Sequence, residues 1–454
     1  MRLPEGPLVA WYGDDFTGSA AVMEVLALAG VPTALFFKAP DAAALSRFGP
    51  LGAIGVAGDA RSRSPEWMDA HLPAIFTALR QTGAPLIHYK VCSTFDSAPH
   101  VGSIGRAADI GLAGGGWAPL LLAAPAIGRY QAFGTLFAAA GDGVHRLDRH
   151  PTMATHPVTP MDEADVRRHL SRQTDKEVGL VDLRSLKAGE GAAALARERT
   201  AGNTILAFDV VDDETLCAAG EVIWQEALQT PVFALGSQGV EYALIAAWRK
   251  AGIAPDPPRA APVKASRVAV VSGSCSPITA EQIRLAEANG FAAIPLDATA
   301  ALDKGAFARA REDAVTKALS ALSNGRDPLI YTARGPHDPA VARFGEAVAA
   351  AGVDGGEVNR RLGEGLGAVL SAVVRTGRLR RAAIAGGDTS SHAAQALGLD
   401  AVTAKAPLVP GAALLTGHGE DPSTDGLEIV LKGGQMGPPD FFERLRAGGP
   451  GRTS

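Results

Sequence analysis

Residues 382–392, AAIAGGDTSSH, pass from a short apolar run through two glycines into Asp388, Thr389 and Ser390. The pattern predicts a strand, a tight turn and the first turn of a helix. Glycines let backbone amides come close to a ligand. The first amides of a helix lack internal partners and carry the positive end of its dipole. Gly386, Gly387, Asp388 and Thr389 would therefore form an anion site, most often one for phosphate. Two further junctions repeat the arrangement. Residues 268–279, VAVVSGSCSPIT, carry Ser272, Gly273 and Ser274 in the turn. Thr279 reads there as the cap of the next helix, with Gln282 completing a capping box. Residues 428–437, EIVLKGGQMG, carry Lys432, Gly433, Gly434 and Gln435. Three such turns in one half of the chain point to a polyphosphate held from several sides. No G-x-x-x-x-G-K-[ST] is present, which excludes a P-loop. No G-x-G-x-x-G follows a strand, which weakens a dinucleotide reading.

The first half delivers a different set of groups. The apolar run LVAWY (8–12) ends in Gly13, Asp14 and Asp15, then Phe16, Thr17 and Gly18. A helix from Ser19 to Ala29 and a strand VPTALFF follow, so the unit is βαβ and the sheet parallel. Ligands of such sheets bind beyond the carboxyl ends of the strands. IGVAG (54–58) ends in Asp59, Arg61, Ser62 and Arg63. LIHYKV (86–91) leads through Lys90 into Cys92, Ser93, Thr94, Asp96 and Ser97. PLLLAAPA (119–126) leads into Arg129. Aspartates accept bonds from hydroxyls, and arginine clamps a carboxylate through two bonds. The mixture suits a small, acidic, polyhydroxylated ligand. Asp14 beside Asp15 needs a cation or donors nearby, since adjacent like charges repel. Residues 145–161, HRLDRHPTMATHPVTPM, read as an ordered loop or lid, their histidines lacking a familiar zinc spacing.

These positions imply their scaffold. Apolar runs alternate with helical stretches throughout, giving an α/β class with two α/β domains and mainly parallel sheets facing each other across a cleft. The expected division is 1–250 for the first α/β domain, 251–267 for a Pro-rich linker and hinge, 268–445 for the second α/β domain, and 446–454 for a flexible tail. The chain has 454 residues, 47% hydrophobic and 20% charged, with a net charge of −5. That balance argues against a nucleic-acid or anionic-membrane surface. Cys92, Cys217 and Cys275 are too scattered for a disulfide framework or zinc site. No signal peptide or long apolar run is evident, so a cytoplasmic protein without a membrane span is expected.

DDFTG, KVCSTFDS, HPVTPM, SGSCS, GGDTS and the closing KGGQMG…DFF, in this order, resemble the four-carbon acid sugar kinase family. The resemblance implies a sugar acid held by the N-terminal domain and ATP by the C-terminal one. The implied reaction phosphorylates a terminal hydroxyl of compounds such as threonate, erythronate or 3-oxo-tetronate. By position, Asp14 and Asp15 match the family's paired aspartates. Lys90, Ser93, Thr94 and Asp96 match its substrate segment, and Arg129 an arginine after the following strand. Ser272, Gly273 and Ser274 match the first nucleotide loop, Gly386 to Thr389 the second, and Lys432 to Gln435 the last. Many relatives carry an acidic residue where Ala21 stands, Glu at the position of Asp388, and K-S-G-N in the last loop. The Gly434-Gln435 and GGDTSSHA forms look closer to a side branch that includes kinases of the branched acid 3-oxo-isoapionate.

The reading is thus an ATP-dependent kinase, with Asp15 as the base that accepts the hydroxyl proton and Asp14 and Arg61 as substrate-binding neighbours. Mg2+ would bridge the phosphates, its protein ligands not identifiable from the sequence. A non-catalytic sugar-acid sensor and a nucleotide-dependent oxidoreductase are the alternatives. The expected partners are the sugar acid and ATP, and the sequence leaves a homodimer open.

Overall fold

Short apolar runs rich in Val, Ile, Leu and Ala, too short to be helices, become buried parallel strands in each half of the chain. The computed structural model describes residues 3–141, 143–156, 158–258, 262–409 and 411–449, with only the backbone for 387–391. The chain divides into two compact units, Met1–Pro257 and Pro258–Ser454.

In the first unit the main sheet comprises β1 (Val9–Gly13), β2 (Thr33–Phe36), β3 (Ala53–Ala57), β4 (Leu86–Lys90) and β5 (Ala118–Leu121), followed later in the chain by β9 (Val178–Val181), β10 (Ile205–Phe208) and β11 (Val232–Gly236). Between β5 and β9 the chain forms β6 (Arg129–Ala132), β7 (Thr135–Ala140) and β8 (Gly143–Arg146). The main sheet runs β2-β3-β1-β4-β11-β5-β10-β9, all pairs parallel. Its register sets Gly13 beside Ala57 and Lys90, and Lys90 beside Gly236. The residues that follow these strands therefore emerge along one edge. Tyr12 and Tyr89 stack beneath that edge with ring centroids 6.0 Å apart, and Phe76 packs edge-on against Tyr89.

The strands β6, β7 and β8 form a separate antiparallel sheet, where the sequence reading had only a strand end and a loop. The β6–β7 turn is Phe133-Gly134, with φ of 51° and 79°. Such a two-residue turn normally carries Asn-Gly or Asp-Gly, so Phe-Gly gave no signal. Buried Asp209 supplies the missing support: its carboxylate accepts from the amides of Phe133 (2.6 Å) and Gly134 (2.9 Å). The segment 145–161 thus begins inside β8 and continues through short 3-10 turns.

In the second unit β12 (Ala269–Ser272), β13 (Phe291–Pro295), β14 (Asp327–Tyr331), β15 (Arg381–Ala385), β16 (Leu399–Val409), β17 (Ala412–Gly419) and β18 (Glu428–Lys432) are ordered β13-β14-β12-β15-β18-β17-β16. The pairs from β13 to β18 are parallel, and β17 is antiparallel to both β16 and β18. Strands β13 and β16 were not anticipated. The helix Phe441–Ala447 reaches into the stretch read as a tail, where Arg446 pairs with buried Asp327 at 3.0 Å. Among the described residues no helix is long and apolar enough to cross a membrane.

Candidate functional site

The DDFTG stretch folds tightly because its glycine, and Gly13 before it, leave room for other side chains. Asp15 is the N-cap of the helix Phe16–Leu28 and accepts from the Gly18 amide at 2.9 Å and the Thr17 hydroxyl at 2.8 Å. A Cβ on Gly18 would lie 2.2 Å from Asp15 Oδ1 and 2.4 Å from Lys90 Nζ, so a larger residue would push one of these groups from its place. Arg61 binds both aspartates. Its Nη2 and Nε donate to Asp14 at 2.7 and 3.1 Å, and its Nη1 donates to Asp15 at 3.1 Å.

The two carboxyls differ in environment. Burial pushes the Asp14 pKa up, and the charge of Asp15 adds to that against the opposing pull of Arg61. Burial also acts to raise Asp15, but Arg61, Lys90, the Thr17 hydroxyl and the Gly18 amide outweigh it, and its pKa falls below the ordinary value. The Asp15 side chain is 20% exposed and that of Asp14 3%.

After β4 the chain turns through Cys92 to Ser97. Phe95 N donates to Cys92 O at 3.0 Å, and Thr94 Oγ1 to Asp96 Oδ1 at 2.7 Å. Ser93, Thr94 and Asp96 are all buried. Burial raises the Cys92 thiol to about 11, with Asp96 adding to the rise and Arg61 and Lys90 opposing it. Arg129, on β6, lies within electrostatic reach of the same thiol. Its Nη1 donates to the carbonyls of Ile127 and Gly128, both at 3.2 Å, and burial lowers its pKa. Asp14, Asp15, Arg61, Lys90, Thr94 and Asp96 thus share one sheet edge, and Arg129 reaches it from the small antiparallel sheet. Arg63 belongs elsewhere: it pairs with Asp59 and covers the Trp67 ring.

In the second unit β15 lies between β12 and β18, which brings the three glycine turns side by side. The Gly273 amide donates to Ala385 O at 3.0 Å, and the Gly386 amide to Lys432 O at 2.9 Å. Gly386, with φ of 133°, leads into the helix Gly387–Ala396. The side chains of Asp388 and Thr389, like position 387, lie outside the described residues. Lys432 is fully buried. Its Nζ donates to Gly433 O at 2.9 Å, Thr279 Oγ1 at 3.2 Å and Gly434 O at 3.4 Å, and burial lowers its pKa to about 8. A Cβ on Gly434 would stand 2.6 Å from Ser274 Oγ, so this glycine is required by the neighbouring loop. Gln435 is exposed.

The cap assignment is corrected here. The helix Pro277–Ala288 begins earlier than expected, with Ser276 as N-cap accepting from the Thr279 amide at 3.0 Å. Ser before a proline at the first helical position was the signal for this start. Thr279 is free to donate to Gly434 O at 2.9 Å, beside Ser276 Oγ at 2.5 Å. Gln282 completes no capping box; its amide donates to the carbonyls of Met436, Gly437 and Pro438. One face of this helix therefore grips the last glycine loop, a role the sequence did not reveal.

The charge balance around Arg61 is measurable. Arg61→Ala leaves Asp14 buried beside Asp15 without its bidentate partner and is expected to cost about 3 kcal/mol at pH 7. Asp14 already binds its proton more tightly folded than unfolded, so its contribution falls as pH rises, and losing Arg61 widens that gap. Asp15 contributes stability above its unfolded pKa through the same arginine, so its loss has the same sign. The deficit against the parent protein should shrink between pH 7 and pH 4.5 in urea titrations. An equal deficit at both pH values would mean that Arg61 acts through packing alone.

Comparison with known proteins bears on both halves. Residues 9–244 match the sugar-binding N-terminal domain, and residues 269–442 the nucleotide-binding C-terminal domain. A 3-oxo-isoapionate kinase of Paraburkholderia graminis is 46% identical over 451 residues, covering 98% of this chain and 95% of its own. A 3-oxo-tetronate kinase of Cupriavidus necator is 31% identical, covering 97% of each. A solved structure from Salmonella typhimurium LT2 has a TM-score of 0.78 at 23% identity, covering 96% of this chain and 98% of that one. One from Haemophilus influenzae has a TM-score of 0.71, also at 23% identity, over 96% and 99%. These two structures speak to the fold alone. With both domains matched and the kinases aligned along almost their whole length, the chain belongs to the four-carbon acid sugar kinase family.

Proposed function

We propose that this member of the family transfers the terminal phosphoryl group of ATP to a terminal hydroxyl of a branched sugar acid of the 3-oxo-isoapionate type. The ATP-dependent sugar-acid kinase activity follows from the family. The observation that carries the branched substrate is the 46% identity, over 98% of this chain, to a kinase named for that acid. With Mg2+ and ATP, ADP release should be most efficient with 3-oxo-isoapionate among a panel including 3-oxo-tetronate, threonate and erythronate. A higher kcat/KM for 3-oxo-tetronate would overturn the substrate assignment.

The first unit would hold the acid. Arg129 supplies positive charge toward its carboxylate, and Lys90, Ser93, Thr94, Asp96 and Asp14 supply partners for its hydroxyls. Asp15 is the proposed base. Phosphoryl transfer through a loose transition state asks mainly for positioning, with the proton accepted late. An ionised, partly accessible carboxylate fits that task better than the more enclosed Asp14. Asp15→Asn keeps the cap geometry and removes the base. Its kcat should fall about 10²-fold or more, with ATP affinity retained. If Asp15→Asn turned over normally while Asp14→Asn did not, the base would be Asp14.

The second unit would hold ATP through Ser272 to Ser274, Gly386 to Thr389 and Lys432 to Gln435. Among the described residues there is no group of three His, Cys, Asp or Glu able to hold a metal ion. Mg2+ would be held mostly by phosphate oxygens and water, as this ion commonly is in kinases. Dependence on ATP puts the activity in the cytoplasm.

Lys432 gives this assignment a pH signature. Its ammonium titrates near 8 in the free protein, so it is cationic below that pH and neutral above it. ATP phosphates would favour the charged form. Affinity for ATP should therefore fall as pH rises through 8, with proton uptake on binding at pH 8. The unfolded lysine keeps its proton to higher pH, so the free protein should gain stability over the same rise. Lys432→Met should lose about 1.5–3 kcal/mol of ATP binding at pH 7 and most of its pH dependence. Calorimetry in buffers of different ionisation enthalpy measures both effects; no proton uptake by the parent protein would remove Lys432 from the phosphate site.

A further inference from the structure

Phe95 stands in the middle of the Cys92–Ser97 turn with φ of 56°, fully buried. A bulky residue rarely holds a left-handed conformation, and does so only where its surroundings impose it. Here the surroundings come from a distant part of the chain. The helix Val166–Leu170 brings His169, whose ring lies 5.3 Å from that of Phe95. His169 Nε2 is 3.0 Å from Ser97 Oγ, and Gln173 Nε2 donates to the same oxygen at 2.9 Å. Ser97 Oγ in turn donates to Phe95 O at 3.1 Å, the carbonyl of the strained residue itself. Gln173 Oε1 accepts from the Gly105 amide at 3.3 Å, which ties the group to the helix Ile104–Gly111.

Where Ser97 donates to Phe95 O, its oxygen accepts from Gln173 and from a His169 that carries its hydrogen on Nε2. Gln173 Nε2 also lies 3.1 Å from His169 Nε2, so the three side chains stay in contact in either tautomer of the ring. Nδ1 is buried with no partner among the described residues. Burial, with Arg172 adding to it, lowers the His169 pKa to about 4, so the ring stays neutral at physiological pH.

We infer that His169 and Gln173 are positioning residues for the sugar acid: through Ser97 they hold the kink at Phe95 that presents Ser93, Thr94 and Asp96 to the substrate. The inference rests on the proposed acid site and adds two residues that touch neither substrate nor nucleotide. Neither belongs to a stretch that the sequence singled out for chemistry.

The test pairs a measurement of the loop with a measurement of turnover. His169→Leu keeps bulk and removes the ring nitrogens, whereas His169→Gln offers an amide from a similar position. In the ligand-free protein, amide hydrogen exchange across residues 92–97 should be about tenfold faster in His169→Leu and near normal in His169→Gln. In turnover, His169→Leu should raise the KM for the sugar acid about tenfold or more, as expected from misplacing binding groups. The KM for ATP should stay within twofold, and His169→Gln should recover the parent values. If His169→Leu does not fold, Gln173→Leu, at the more exposed end of the network, is measured in the same way. Unchanged exchange in the leucine variants would overturn the inference, as would faster exchange with an unchanged sugar-acid KM or an ATP KM that rises in step. Absence of turnover by the parent protein with every acid would refute the kinase reading instead; the inference then fails with it, while the exchange arm still reports whether His169 holds the loop.

Discussion

Two neighbouring carboxylates at the end of a buried strand repel each other and lose hydration at the same time. The first unit is arranged around that cost at Asp14 and Asp15. Arg61 answers both of them, Lys90 adds a second positive charge, and the first turn of a helix lends the Gly18 amide. None of this assembles unless β3, β1 and β4 are parallel and in register, because the three strands deliver Arg61, the aspartates and Lys90 to one edge. Gly18 belongs to the same solution, since a methyl group there would occupy the space of Lys90 Nζ. The result is asymmetric: one carboxyl with a raised pKa and one with a lowered pKa, one residue apart. Environments that separate two titrating groups in this way are common at catalytic centres.

The second unit meets a different constraint, the satisfaction of backbone carbonyls in a glycine loop. Glycines give the loop after β18 its close approach but no side chains to hold it. The helix Pro277–Ala288 compensates from outside. Ser276 and Thr279 bind Gly434 O, and Gln282 gathers three successive carbonyls from Met436 to Pro438. The loop is thus fixed in place from outside the glycine turn. This division of labour explains why residues outside the glycine turn matter to its shape.

Much of this was readable in the chain, and the failures have physical causes. The strands of the first unit's main sheet announced themselves as short apolar runs ended by polar clusters, because buried parallel strands need apolar residues on both faces. The strand-end residues Asp14, Asp15, Arg61, Lys90 and Asp96 could be assigned to one edge from that pattern alone. The β6–β8 sheet could not be found, because Phe133-Gly134 adopts its turn with the help of Asp209, a residue far away in sequence. Local composition carries no trace of such support. The helix after β12 was started three residues late, since Thr279 with Gln282 mimics a capping box while Ser276-Pro277 supplies the actual start. Which way Lys90 points is not legible in the sequence, because neither face of a central strand is polar. His169 and Gln173 were invisible for the same reason as Asp209: their partners lie some 70 residues upstream, Ser97 at separations of 72 and 76.

The two units share one device whose variation is informative. In each, a lysine ends a central parallel strand, is almost wholly buried, and lies against the glycine of a turn: Lys90 against Gly18, and Lys432 against Gly433 and Gly434. Burying an ammonium is unfavourable unless negative charge or good acceptors compensate. Lys90 acts on two carboxylates, helping to lower the pKa of Asp15 and opposing the rise in that of Asp14. For Lys432 the described hydrogen-bond partners are a hydroxyl and two carbonyls, all uncharged, and its pKa drops to about 8. A lysine balanced by protein carboxylates gains little from a further anion. One whose described partners are all neutral gains much more, because a bound anion would bring it a full counter-charge. On that argument Lys432 would be the lysine that meets the polyphosphate, in line with the proposed ATP site, and the ligand beside Lys90 would be one whose hydroxyls, more than its charge, meet the protein. A sugar acid answers that description, carrying a single carboxylate and several hydroxyls. The electrostatics of two strand-end lysines thus divide the substrates in the same way as the two matched domains.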